Sequence, residues 1–226
     1  MKITKNGFYR VSEIVDPDIN IEQGLEVFIY DDTRVHPSIS IGTDAKLHYI
    51  SFFQHEWNYN THITCAGENS ELILSSLIYS QDNKINTEIM WEACNDNTRL
   101  TMNIIALAAE NGDIRIDGNL KINSALKSVF GRLDEQNIFL GSSGKLSGLP
   151  TLLVASNDID ASHGCKMEKI SDEELFYLRS RWVDKQNALE MMLQAKIQTL
   201  LQDIEQPYPE EYEALKTMML DKIIGN

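Results

Sequence analysis

Short runs that mix apolar and polar residues dominate the first two thirds of the chain. The runs are rich in aromatic and β-branched residues, and in residues 113–117 isoleucines alternate with charged residues. Clusters of Asp, Asn, Gln and Gly separate one run from the next, as they do at turns. The pattern predicts a mainly β fold with strands at residues 25–30, 46–53, 71–79, 85–91, 100–108 and 113–116.

The spacing of these strands fits two architectures. One is a sandwich of antiparallel strands, and the other is a β-solenoid whose coils stack on one another. The chain has no clean short repeat, which counts against the solenoid. Tight hairpins are also rare, since Asn-Gly stands between predicted strands only at Asn111-Gly112. The pattern of residues leaves both architectures open.

The pattern becomes helical after about residue 169. Ser171 to Glu174 has the form of a capping box, and Asp184 can cap a second helix whose apolar residues follow helical spacing. Pro207 ends that helix, and Pro209 suits the first turn of a third. We therefore divide the chain into an N-terminal segment (1–24), a β core (25–165) and a C-terminal helical segment (166–226).

Composition narrows the range of partners and compartments. The chain has 34 Asp and Glu residues against 20 Lys and Arg residues, a formal net charge of −14, so we expect neither nucleic acid nor a membrane surface as a partner. The three cysteines are odd in number and form no paired motif, which indicates a reducing compartment. The first residues do not resemble a signal peptide, and we expect a cytoplasmic protein.

Several short motifs resemble catalytic signatures but are incomplete. Residues 141–146 lack the first glycine and the final Ser or Thr of a phosphate-binding loop. His55-Glu56 lacks the second histidine of a zinc protease, because that position is Tyr59. His62 and Cys65 supply only two of the four ligands of a structural zinc site. We interpret these residues as ordinary turn and surface positions.

His163 and Cys165 are the candidate ligands for a metal ion or a metal-containing cofactor. Residues two apart on an extended segment project to the same face, so the imidazole and the thiol would lie side by side. Such a pair can bind a soft metal or an iron–sulfur cluster when other ligands come from elsewhere or from a second chain. The alternative is a hydrogen-bonded histidine beside an inert cysteine.

The residues around this pair resemble a known family. Ser162-His163-Gly164 is followed by the run L-F-Y-L-R-S-R at residues 175–181, within a segment that extends from Leu149 to Ala195. This segment resembles the C-terminal signature of the SufB/SufD family, the scaffold subunits of the Suf iron–sulfur cluster assembly system. The version around His163 is nearer the SufD type than the SufB type.

The resemblance implies both a fold and a function. It implies a right-handed parallel β-helix (a solenoid) followed by C-terminal helices, and so favours the solenoid over the sandwich. It also implies a non-catalytic scaffold that dimerises through the β-helix, with itself or with a longer SufB/SufD homologue. His163 would lie at the pairing interface, where a transient iron–sulfur cluster is assembled, with Cys165 as its companion ligand.

The resemblance further implies that the C-terminal helices dock a SufC-type ABC ATPase. The implied partner-binding residues are Phe176, Tyr177, Arg179 and Arg181. For Phe176, the alternative is that its ring anchors the helix on the β body. The chain departs from the family pattern at Trp182, where a glycine is usual, and at Cys165, where an alanine is usual. The family's N-terminal helical domain is not expected in this chain.

Two other classes of function remain open at this point. One is a pure interaction module without a role in cluster assembly. The other is a carbohydrate-active enzyme, since a β-helix is a common body for such enzymes, which need converging carboxylates. Candidate carboxylates, none in a recognisable pair, are Asp31, Asp32, Glu56, Asp113 and Asp117.

Overall fold

The fold is a parallel β-solenoid of about five turns followed by two helices. The computed structural model describes residues 1–169 and 183–225. Every strand pair within the described residues is parallel, including long ladders in which ten consecutive residues are in register. The structure therefore confirms the solenoid, and the antiparallel sandwich is wrong.

The chain alternates between two sheets, so that each coil contributes strands to both. Sheet 1 contains β1 (Lys2–Ile3), β3 (Asp18–Ile21), β5 (Ser38–Ile41), β7 (Trp57–Cys65), β9 (Lys84–Ala93), β11 (Asp113–Ile122), β13 (Lys145–Gly148) and β14 (Thr151–Val154). Sheet 2 contains β2 (Gly7–Arg10), β4 (Glu26–Asp31), β6 (Lys46–Phe53), β8 (Glu71–Ser80), β10 (Arg99–Ala108), β12 (Lys127–Phe139) and β15 (Asp158–Lys169). A short 3-10 turn covers Val11–Glu13.

Side chains of like position in successive coils stack inside the solenoid. Val27, Leu47, Leu72 and Leu100 lie in register on β4, β6, β8 and β10, and none of the four is exposed to solvent. A single coil cannot bury its inward side chains alone, so each coil depends on its neighbours for its core. The core is therefore a set of parallel rows that continue from coil to coil.

A conformational repeat marks the corners that lead into sheet 2. The residue two positions before β4, β6, β8, β10 and β12 has a positive φ in each case: Gly24 (71°), Asp44 (55°), Asn69 (58°), Asn97 (57°) and Ala125 (63°). Gly, Asp and Asn adopt this left-handed conformation more readily than other residues. The sequence shows no clean repeat because different residue types serve the same backbone conformation.

Two helices follow the solenoid, α1 (Lys185–Glu205) and α2 (Pro209–Ile224). The Asp184 carboxylate accepts a hydrogen bond of 3.0 Å from the backbone N–H of Asn187, and Pro209 occupies the first turn of α2. These contacts confirm the second and third predicted helices. The helix expected near Ser171 lies outside the described residues. Among the described residues, no helix has the length and hydropathy needed to cross a membrane.

The helices cover the outer face of sheet 2. Their apolar residues, among them Ile197, Ile204 and Met219, form a second buried cluster with outward-facing residues of the sheet such as Phe52 and Leu107. An ion pair between Arg10 on β2 and Glu211 on α2 adds a polar link. The central strands of sheet 2 are thus buried on both faces, which explains their nearly continuous apolar sequence.

Ala125 gives a direct test of the corner repeat. Its side chain is exposed and its φ is 63°. The left-handed conformation is sterically unfavourable for alanine, which has no polar side chain to form a compensating local hydrogen bond. We expect Ala125→Asn to raise the free energy of unfolding by about 1 kcal/mol, measured by urea denaturation. The control is Ser124→Asn at the neighbouring exposed residue, which should leave stability unchanged. Equal effects of the two substitutions would contradict the repeat.

Candidate functional site at the open end of the solenoid

The last coil ends in a strand with one free edge. Among the described residues, β15 pairs only with β12, so one side of this 12-residue strand has no ladder partner. An edge of this length presents a row of unpaired backbone N–H and C=O groups, which can pair with a strand of another chain. This edge is therefore unpaired among residues 1–169 and 183–225.

His163 and Cys165 lie on one face of β15. They are in register with Leu133 and Glu135 of β12. Ala161, which has the same parity, packs against the interior core, so this face of β15 points to the inside of the solenoid. Both candidate ligands are nevertheless exposed, because they belong to the last coil.

The opposite face of β15 is held by α1. Lys196 on α1 places its Nζ atom 3.1 Å from Glu168 Oε1 on β15 and 3.3 Å from Gln136 Oε1 on β12. The ammonium group donates to both oxygens and joins the helix to the last two strands of sheet 2. This anchor lies on the face away from His163, so it fixes the strand while it leaves the candidate ligands accessible.

A buried polar cluster lies beneath Cys165. The Glu135 and Asn137 side chains point into the solenoid and are only 2% and 1% exposed. Asn137 Nδ2 donates to Glu135 Oε1 and, at 3.4 Å, to Cys165 Sγ. The Cys165 thiol in turn donates to Glu135 Oε1 across 3.7 Å. Carboxylate, amide and thiol therefore form one connected group.

The cluster contains two polar atoms without a partner. Glu135 Oε2 and Asn137 Oδ1 are both buried, and neither has a hydrogen-bond donor among residues 1–169 and 183–225. Burial raises the pKa of Glu135, with a smaller contribution in the same direction from the charge of Asp117. Burial and the neighbouring Glu135 carboxylate raise the pKa of the Cys165 thiol. The last two strands of sheet 2 thus share a polar cluster in the interior.

The metal-binding capacity of a single chain is limited. Within residues 1–169 and 183–225, no three His, Cys, Asp or Glu side chains are grouped so that they could hold a metal ion. His163 and Cys165 project together but supply two donors, so a cluster at this position needs further ligands from a second chain. The geometry suits a half-site and not a closed site.

The open end also exposes apolar side chains. Leu149, Leu153 and Val154, which lie next to or in β14, are 68%, 50% and 40% exposed, and Met167 on β15 is 56% exposed. All four belong to the last coil, and grouped exposed apolar residues are typical of protein interfaces. The same end of the solenoid therefore combines an unpaired strand edge, apolar residues and candidate ligands.

Phe176, Tyr177, Arg179 and Arg181 lie outside the described residues.

The candidate carboxylates of a carbohydrate-active enzyme are dispersed. Asp31 is buried in sheet 2, where it accepts hydrogen bonds from Tyr49 Oη at 2.5 Å and from Thr33. Asp117 lies in sheet 1 and is paired with Arg115. Asp31 and Asp117 therefore do not converge as the acid and base of such an enzyme must.

Sequence reasoning missed Glu135 and Asn137. Both lie at inward positions of β12, where a strand normally carries apolar residues, while the outward Ile138 of the same strand is apolar and buried under the helices. The alternation was therefore obscured on both faces of the strand. The proximity of Glu135 to Cys165, 30 residues further on, depends on the register of β12 with β15, which no local pattern encodes.

Comparison with known proteins gives a consistent result. The family model for the SufBD core domain of SUF system FeS cluster assembly matches residues 32–196. The iron-sulfur cluster assembly protein SufD of Escherichia coli (strain K12) is 28% identical over 140 residues, which is 61% of this chain and 33% of that protein. Iron-sulfur cluster assembly SufBD family proteins of Staphylococcus saprophyticus and Staphylococcus haemolyticus are each 23% identical over 129 residues, 57% of this chain and 28% of each relative. The chain thus matches only about a third of the length of these relatives.

The contact between Cys165 and Glu135 predicts the pH dependence of thiol alkylation. Since the carboxylate disfavours the thiolate, we expect the Cys165 alkylation rate to rise at a higher pH than for a free cysteine, and Glu135→Gln to shift the rise to lower pH. Iodoacetamide rates for each cysteine-containing peptide, measured by mass spectrometry, give the profile. Cys94 in the same samples is the control and should not shift. An unchanged Cys165 profile in the variant would show that the carboxylate does not act on the thiol.

Proposed function

Because the chain belongs to the SufBD core-domain family of the SUF iron–sulfur cluster assembly system, and is nearer SufD than SufB, we propose that it is a non-catalytic scaffold subunit on which a cluster is assembled. The observation that carries this proposal is the pair His163 and Cys165 on the exposed last strand of the solenoid. An imidazole and a thiol at an open end can be completed as a ligand set by a second subunit.

We further propose that the second subunit pairs at the end formed by β14 and β15. The unpaired edge of β15 and the exposed side chains of Leu149, Leu153 and Met167 support this surface. The partner is a second copy of this chain or a longer SufB/SufD homologue. A two-fold axis at this end would bring together two His163 and two Cys165 side chains, the ligand types that hold a Rieske-type cluster.

The C-terminal region is the proposed contact with a SufC-type ABC ATPase. Phe176, Tyr177, Arg179 and Arg181 follow β15 in the sequence and precede α1, so they belong to the connection between the cluster end and the helices. Each helix buries one side against sheet 2, and Met191 on α1 is 52% exposed, so the helices also have a surface to offer. The proposal places the protein in the cytoplasm, where the three free thiols Cys65, Cys94 and Cys165 are stable.

The test combines the state of assembly with cluster formation. The purified chain is reconstituted without oxygen with ferrous iron and sulfide, and its visible absorption and sedimentation are measured. We expect a dimer with a cluster chromophore in the wild type, and loss of the chromophore in His163→Ala and in Cys165→Ala. The control is Ser162→Ala, an exposed neighbour of opposite parity on β15, which should keep the chromophore.

Three outcomes would contradict parts of the proposal. An equal chromophore in the wild type and in both ligand variants would exclude His163 and Cys165 as ligands. A dimer without any chromophore would favour the interaction module over the cluster scaffold. A monomer, both alone and mixed with a SufB-type partner, would exclude the pairing surface.

A further inference from the structure

Two carboxylates are buried inside the solenoid, and their surroundings differ. Asp31 accepts three hydrogen bonds, from Tyr49 Oη and from the backbone N–H and hydroxyl of Thr33. Glu135 receives one amide N–H from Asn137 and a weak thiol contact, and its Oε2 atom has no partner in the part of the chain that the structure describes. A buried acceptor without a donor costs about 1–3 kcal/mol, and more when it is charged. Unlike Asp31, Glu135 therefore has an oxygen that can accept a proton or bind a cation.

The neighbouring amide has the same deficiency. Asn137 is the next inward residue on β12, its Nδ2 atom already touches Glu135 Oε1, and its Oδ1 atom is also buried without a donor. The corresponding residues on the preceding strand β10 are Ile104 and Ala106, which are apolar. Two unsatisfied oxygens thus appear together on β12, the strand that pairs with the strand carrying Cys165.

The atoms around this point are those of a cation site. A carboxylate oxygen, an amide oxygen and a sulfur atom are all electron-pair donors, and together they suit a borderline divalent ion. Cys165 Sγ lies 3.7 Å from Glu135 Oε1 and 3.4 Å from Asn137 Nδ2, so the NH2 side of the amide faces the other two groups. A half-turn of the Asn137 amide exchanges its nitrogen for Oδ1 and brings three electron-pair donors to one point. The net charge of −14 also raises the local concentration of cations.

We propose that Glu135, Asn137 and Cys165 form a loading site between the last two strands of sheet 2 for one divalent metal ion of the ferrous type. The inference rests on the proposed function in that the bound ion would be iron on its way to a cluster. On binding, a bond forms between the metal and Cys165 Sγ, and the thiol proton passes to solvent. The Glu135 carboxylate and the thiolate then balance the two positive charges of the ion. Its remaining coordination positions are open to water, to sulfide or to a ligand from a second subunit.

The site explains why Glu135 is buried beside a thiol and not exposed. A carboxylate at the surface would bind the ion weakly, because water competes for it and screens its charge. Inside the solenoid, Leu133 and the preceding strands exclude solvent from the Glu135 carboxylate. Its contact with Cys165 nevertheless keeps the carboxylate close to the open end. The ion would therefore enter from the same end at which His163 is presented.

The test uses the metal alone, without sulfide. Ferrous iron is titrated into the full chain without oxygen and followed by calorimetry, and Co²⁺ is used in parallel because thiolate coordination gives it a near-ultraviolet charge-transfer band. We expect binding of one ion, with affinity at least tenfold lower in Glu135→Gln and no charge-transfer band in Cys165→Ser. The matched control is Asp134→Asn, which removes the adjacent outward carboxylate paired with Arg132 and should change the affinity less than twofold.

A second variant separates metal binding from a structural role. Asn137→Asp places two carboxylates side by side, so it should lower the thermal midpoint of the metal-free chain and raise it on addition of Fe²⁺ by more than in the wild type. Failure of the metal to restore the variant, or equal iron affinity in the wild type and Glu135→Gln, would overturn the proposal. A proton shared between Glu135 and Asn137 would then satisfy the two oxygens.

These readouts are independent of the proposed function. Iron binding that depends on Glu135 in a chain that forms neither a dimer nor a cluster would leave the loading site intact and contradict the scaffold. A cluster that forms normally in Glu135→Gln would leave the scaffold intact and overturn the loading site.

Discussion

The in-register parallel ladder between successive coils is the constraint on which the rest of the structure depends. Each strand satisfies its backbone groups with the strands of the coils before and after it, and the same register stacks Val27, Leu47, Leu72 and Leu100 into one interior row. The last strand of such a ladder has a neighbour on one side only, so its other edge carries backbone N–H and C=O groups without a ladder partner. In this chain that strand is β15, and it is also the strand that bears His163 and Cys165. The unpaired edge of the solenoid and its candidate ligands therefore lie on the same strand.

The ladder also explains how a polar cluster can exist in an otherwise apolar interior. Rows of inward residues pass from Ile104 on β10 to Glu135 on β12 and to Cys165 on β15, so a change of chemistry at one end does not disturb the coils behind it. Because β10 and the coils before it are complete, they stabilise β12 and allow it to hold unsatisfied oxygens. The outer face of the same strands is fixed by α1 through Lys196. The end of the solenoid is thus rigid on one face and open on the other.

The sequence predicted those strands and helices whose residue patterns are typical of a single type of secondary structure. Residues 46–53 carry apolar side chains at both parities because β6 is buried on both faces, and the predicted strand has the observed bounds. The caps at Asp184 and Pro209 likewise predicted the two helices that the structure describes. The choice of a solenoid came from the resemblance around His163, because the corner repeat is one of conformation and is occupied by Gly24, Asp44, Asn69, Asn97 and Ala125 in turn.

The candidate site was only partly within reach of the sequence. The strand spacing placed His163 and Cys165 on one face, but Glu135 and Asn137 enter the site through the register of β12 with β15, and register is a property of the whole ladder. Strand β12 was missed altogether, since Glu135 and Asn137 on its inner face and the apolar Ile138 on its outer face remove any simple alternation. Polar side chains occupy inward positions of β12 where other strands carry apolar ones. The same residues remove the alternation that would have predicted the strand.

We expect the free edge of β15 to be the surface at which a second subunit pairs. Along a parallel strand, alternate backbone N–H groups point to opposite sides, so one set in residues 158–169 bonds to β12 and the other set faces the open edge. Amide hydrogen exchange resolved by residue, in the monomer and in the paired state, measures the two sets separately. We expect the set bonded to β12 to be protected in both states, and the edge-facing set to exchange rapidly in the monomer and slowly after pairing. Rapid exchange of the edge-facing set in both states would contradict the account.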